Sequence, residues 1–135
     1  MGFFITAAAL AHKGATGIVK ERMDNFKASQ MALKQIFIAT QRNDLQKVIS
    51  YAEQIKEWAE QMPDFFPEGS HGAPSEAAPS IWMEFEGFKA AANKHADAAA
   101  LLIRVAQKGD AKSTETAVRQ LARTCKSCHQ RYRLD

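Results

Sequence analysis

Apolar residues recur with a helical period in four separate stretches of the chain. In the first, Ile18, Val19, Met23, Phe26, Met31, Leu33, Ile36 and Phe37 punctuate a run from Ile18 to Arg42 that contains no proline or glycine. Roughly 25 residues at about 1.5 Å each predict a rod about 38 Å long. Thr16 is placed to cap its start, and Asn43 with Asp44 offers a stop followed by a new cap. The second stretch puts Leu45, Val48, Ile49, Ala52, Ile55 and Trp58 or Ala59 on one face. The third, opened by Ser80, carries Trp82, Phe85, Phe88, Ala92, His95, Ala99, Leu102, Ile103 and Ala106, and Gly109 with Asp110 ends it. Ser113 or Thr114 starts the fourth, whose inward face reads Val118, Leu121, Ala122, Cys125, Cys128, His129 and Tyr132.

With no β alternation anywhere, four amphipathic helices predict an all-α, antiparallel up-down-up-down bundle. Two connections are short. The third, from Pro63 to Ser80, holds all four prolines, and loops of that length tend to be functional or wrapped over something. Phe65 and Phe66 inside it are expected to pack on an apolar surface, as a plug over the bundle end or against a bound group.

Candidate chemistry sharpens the picture at the last helix. Both cysteines of the protein lie in Cys125-Lys126-Ser127-Cys128-His129, and Cys-x-x-Cys-His is the attachment signal for c-type haem. Two thiols add across the porphyrin vinyl groups, and the adjacent histidine then lies under the iron. On a helix these residues fall at i, i+3 and i+4, so their side chains leave one face. That face continues the core stripe, which predicts the haem inside the bundle and opposite the first helix. A redox dithiol is an alternative, although no βαβ pattern accompanies the pair. A zinc site would have to draw on His12, His71 or His95 to reach four ligands.

Composition changes less. At 135 residues, 46% apolar and 24% charged, the chain is one ordinary globular domain. Eighteen basic against fifteen acidic residues give +3, too mild and too scattered for a nucleic-acid binder. Residues 2–11 form an uncharged apolar run closing on Ala9-Leu10-Ala11. That resembles the end of an export signal, so residues 1–11 are expected to be a truncated signal remnant and 12–135 the bundle; the alternative is an extension of the first helix. The run is too short to span a bilayer. A periplasmic protein without a membrane anchor in its mature form is expected. No carboxylate pair, nucleophile–base pair or phosphate loop stands out, so the protein is not expected to be an enzyme.

A haem signal at the extreme C-terminus of a four-helix chain resembles the cytochrome c′ family and its low-spin relatives. The likeness runs through Ile18-Val19-Lys20-Glu21-Arg22 with Phe26-Lys27, Phe66-Pro67-Glu68-Gly69-Ser70, Ile81-Trp82 with Phe88, Ala106-Gln107-Lys108-Gly109-Asp110, and Cys125 to Arg133. It implies one covalent haem c on Cys125 and Cys128, with His129 as axial iron ligand. It also implies haem or propionate contacts from Arg22, Glu68, Gly69 and Ser70. Arg133, one turn past His129, would lie by the histidine face of the haem or be a solvated C-terminal arginine. In six-coordinate members a methionine four residues after the first-helix arginine ligates the iron; here that place is Phe26. A five-coordinate haem binding NO- or CO-type gases is therefore expected. The alternative is a six-coordinate Met/His electron carrier using Met23, a residue otherwise read as core packing. Partners would be a diatomic gas or a redox protein, with a homodimer through the outer faces of the first two helices. His95 is another conceivable ligand, but beside an alanine-rich surface it is expected to be exposed or capping.

Overall fold

The structure is a computed structural model and describes residues 16–134; the expected signal remnant, residues 1–11, lies outside the described residues. Four long helices and one short one follow in the order α1 (Gly17–Gln41), α2 (Leu45–Gln61), α3 (Ser80–Met83), α4 (Phe85–Gln107) and α5 (Ala111–Tyr132). α1 packs on α2, α2 on α4 and α4 on α5, while α1 and α5 close the bundle over a smaller contact. Short turns join α1 to α2 and α4 to α5, so sequential long helices run antiparallel in an up-down-up-down bundle. No described helix is long and apolar enough to cross a membrane.

Several helix ends differ from expectation. Asp44 caps α2 as anticipated, its carboxylate accepting from the Lys47 N–H, and Asn43 makes the turn with φ of 55°, a left-handed conformation asparagine tolerates. Thr16 is the N-cap of α1 but makes no side-chain cap bond. Asp110, read as the end of the third helix, instead caps α5 by accepting from the Lys112 N–H, so α5 starts at Ala111 rather than at Ser113 or Thr114. Ser80 is not a cap: its hydroxyl donates to the Arg131 carbonyl at 2.7 Å.

The expected third helix is broken. Glu84, at φ −127° and ψ 48°, separates α3 from α4. Its carboxylate is drawn across to Arg131, accepting from Nη2 at 2.7 Å and Nε at 3.3 Å. The long connection is also more ordered than a loop. A 3-10 turn, Met62–Phe65, closes α2, and Ala77 pairs with Arg133 in an antiparallel bridge.

The first helix turns a different face inward. Its buried residues are Arg22, Ala32, Ile36 and Ala39, whereas Met23, Met31 and Phe37 are exposed. Small alanines let α1 lie close to its neighbours, and the bulkier apolar side chains fall outside the contact. The interior has two parts. Ala32, Ile36, Val48, Ala52, Ile55, Ala99, Leu102, Val118 and Leu121 belong to one cluster. Trp58, Met62, Phe66, Ile81, Phe88, Ala92 and Tyr132 form the other, with Phe26 and Cys128 packed against it.

Candidate haem site

The second cluster is the end of the bundle where chemistry gathers. α5 brings Cys125, Cys128 and His129 there. Cys128 touches the aromatic cluster, both cysteines are half-buried free thiols, and His129 is exposed. The motif thus lies on the edge of the buried face of α5, which is made by Thr114, Ala117, Val118, Leu121 and Tyr132. The expected inward stripe is therefore buried at Val118, Leu121 and Tyr132, half-buried at Ala122, Cys125 and Cys128, and exposed at His129. Thr124 meets α4 through His95.

Burial pushes both thiols up, Cys128 to about 11 with the neighbouring Cys125 adding to the shift. A redox dithiol needs a lowered thiol pKa in an electropositive setting, and this pair has the reverse. His129 is shifted the other way. Burial of its inner side, then the Arg133 charge, lowers its pKa, partly offset by Glu76. The neutral imidazole so favoured is the form that binds a metal.

Across the cluster, α1 presents Arg22 and, one turn on, Phe26. Arg22 is 1% exposed. Its Nη1 donates to the Phe65 carbonyl at 3.1 Å and Ser70 Oγ at 2.7 Å. Its Nη2 donates to the Ser70 carbonyl and to Ser75 Oγ, the latter at 2.9 Å. Phe66 lies under the guanidinium, 4.4 Å from its centre. Among the described residues no carboxylate pairs with it. Burial lowers its pKa, yet a guanidinium keeps its charge in a protein.

Ser70, expected at the haem edge, is bonded instead to Arg22 through both its hydroxyl and its carbonyl. Gly69 serves the turn itself, at φ 82° between Pro67 and Ser70, whose N–H donates to the Pro67 carbonyl at 3.3 Å. Glu68 is exposed beside it and makes no contact with Arg22. Trp82 fastens the same segment, its Nε1 donating to the carbonyls of Phe66 and Pro67 at 3.0 Å each. Phe65 and Phe66 do pack inward: Phe66 lies 4.8 Å from Phe88 and Phe65 5.1 Å from Trp58, both edge-on.

Phe26 is half-buried, edge-on to Trp58 at 5.2 Å and to Phe66 at 6.2 Å. Met23 is 37% exposed and lies outside this cluster. Two site residues escaped the sequence reading. His95 is buried, not exposed, with Nδ1 2.7 Å from Thr124 Oγ1. That hydroxyl already donates to the Leu121 carbonyl, so it accepts from His95, whose Nδ1 carries the proton. Burial, and then the charge of His129, lowers the His95 pKa to about 4. Glu76 is the second: its Oε2 accepts from Arg133 Nε at 2.9 Å and lies 2.8 Å from Nη2.

The residues present suit a haem. Two thiols and an imidazole at i, i+3 and i+4 are the attachment set, and the wall beside them is aromatic. Among the described residues the buried donor Trp58 Nε1 has no hydrogen-bond partner, and the buried Arg22 cation bonds only neutral oxygens; a porphyrin carboxylate can supply the acceptor to the first and the counter-charge to the second. A helical bundle ending in this motif defines the class: a four-helix c-type haem protein.

Comparison narrows the class. The family described as Cytochrome C′ matches residues 17–133. A cytochrome c′ of Rhodospirillum rubrum is 36% identical over 87% of this chain and 82% of its own. A cytochrome c-556 of Agrobacterium fabrum is 37% identical over 89% and 83%. The nitric oxide complex of a mutant cytochrome c prime from Alcaligenes xylosoxidans superposes with a TM-score of 0.77 at 22% identity, covering 87% of this chain and 94% of that one. The chain belongs to the cytochrome c′ family, a standard instance of the up-down bundle, and carries one covalently bound haem c.

Proposed function

We propose that this is a periplasmic haem protein in which Cys125 and Cys128 form the thioether links and His129 is the single protein ligand to iron. The haem supplies a metal centre for diatomic gases of the NO and CO type and for one electron. The chain's part is to decide what reaches that centre. Phe26 carries the reading: it packs on the same aromatic cluster as Cys128, and a phenyl ring has no lone pair to donate. Met23, three residues before Phe26 on α1, is 37% exposed and lies outside that cluster. Both observations support a five-coordinate site with an apolar, crowded outer face. The Phe26 ring offers bound O₂ no hydrogen bond, which disfavours it relative to NO.

Arg22 completes the assignment: its buried guanidinium, bonded to Ser70 and Ser75 and to no carboxylate among the described residues, would take a haem carboxylate as its counter-charge. The exposed Met31, Phe37 and Ile38 on the outside of α1 support a homodimer through that helix. The test is optical. The matured protein should show a high-spin ferric spectrum, and the reduced form should change on adding NO. A low-spin spectrum with a thioether-to-iron charge-transfer band would sink the five-coordinate reading in favour of Met/His ligation and electron transfer alone.

A further inference from the structure

One ion pair beside the motif is held more firmly than its exposure suggests. Exposed pairs usually contribute little because both side chains wander. Here the backbones of both partners are fixed. Ala77 and Arg133 form an antiparallel bridge. The Ala78 N–H donates to the Tyr132 carbonyl at 2.9 Å, and the Leu134 N–H to the Glu76 carbonyl at 2.7 Å. The Arg133 N–H in turn reaches the His129 carbonyl at 3.1 Å. One Glu76 oxygen then takes both Nε and Nη2 of Arg133, an arrangement that orients the planar guanidinium as well as neutralising it.

We propose that Glu76 is a positioning residue for the histidine side of the haem. It fixes the Arg133 guanidinium beside His129, so the pair, rather than the arginine alone, sets the electric field at the iron. The inference rests on His129 being the axial ligand, as proposed above. Its physical basis is simple. A cation near the iron favours the reduced, less positive metal, and an anion favours the oxidised one. Arg133 follows His129 by one turn, with its N–H on the His129 carbonyl, and Glu76 is held against Arg133. Freed of Glu76, the arginine adds an uncompensated charge and can move on its long stem.

The experiment is redox titration of the matured protein and of Glu76→Gln, Arg133→Gln and the double variant, with the optical spectrum and thermal unfolding of each. Glu76→Gln should raise the midpoint potential and Arg133→Gln should lower it, with melting temperatures nearly unchanged. The shift from Glu76→Gln should shrink when Arg133 is already glutamine, because there is then no guanidinium to release. Equal shifts in both backgrounds would mean that Glu76 acts only through its own charge and would overturn the positioning role. No shift in either single variant, with a histidine-ligated spectrum intact, would overturn the inference and leave the functional reading standing. A wild-type spectrum without histidine ligation would defeat both.

Discussion

Phe26 stands four residues after Arg22, where a methionine would bring a thioether into the site. Phe26→Met therefore asks whether the fold around the iron is that of a six-coordinate carrier with its donor removed. The expected outcome is a low-spin spectrum with a thioether charge-transfer band and weakened NO binding. The edge-on contacts with Trp58 and Phe66 would be lost at about 1 kcal/mol in stability. An unchanged high-spin spectrum would place Phe26 away from the iron. His95 supports a second prediction at this scale. Its folded pKa of about 4 lies below the ordinary 6.5, so the unfolded chain takes up the proton first as pH falls. Stability should be unaffected by this group above about pH 6.5 and decline from there toward about pH 4. Urea unfolding across that window should show the decline, and His95→Gln, which keeps a donor for Thr124, should flatten it. The same slope in both proteins would show that another group is responsible.

At the scale of elements, α4 and α5 meet where Gly87 faces Tyr132. A Cβ on Gly87 would lie 2.7 Å from the tyrosine hydroxyl oxygen. That ring is 4% exposed and edge-on to Phe88 at 5.4 Å, so it has little room to retreat. Alanine in a helix gains about 1 kcal/mol over glycine, while overpacking costs about 1–3 kcal/mol. Gly87→Ala should therefore lose about 1 kcal/mol on urea unfolding. With Tyr132→Phe as background the same change should become stabilising, and a loss in both backgrounds would remove the hydroxyl as the cause. This contact shows where sequence reading stops. The Cys-x-x-Cys-His spacing was legible because covalent chemistry demands it, and the stripe of α2, with Val118, Leu121 and Tyr132 of α5, because those core faces are regular. The inward face of α1 was not: its contacts are made by Ala32 and Ala39 beside a buried arginine, and hydrophobicity does not mark those positions. The Glu84 break and the roles of His95 and Glu76 depend on partners 47, 29 and 57 residues away, which no local pattern records.

For the molecule as a whole, the two clusters imply a division of labour along the bundle axis. Leu121, Leu102 and Ile36 belong to an aliphatic core with no member of the haem motif. Phe88, Trp58 and Phe66 share theirs with Phe26 and Cys128. Stability and site geometry should therefore separate by mutation. Leu121 is fully buried, and Leu121→Ala should cost about 3 kcal/mol through the lost transfer term and the cavity left behind. Because that cavity opens in the aliphatic half, the optical spectrum and NO affinity should stay those of the unmutated protein below its lowered melting point. Phe88→Ala should cost about as much, since Phe88 is equally buried. It also removes the ring against which Phe66 and Tyr132 both pack, so the spectrum and gas affinity should change together with stability. Chemical unfolding paired with NO titration on both variants decides the matter. If Leu121→Ala perturbs the haem spectrum as strongly as Phe88→Ala, the bundle transmits strain along its whole length and the two clusters act as one core.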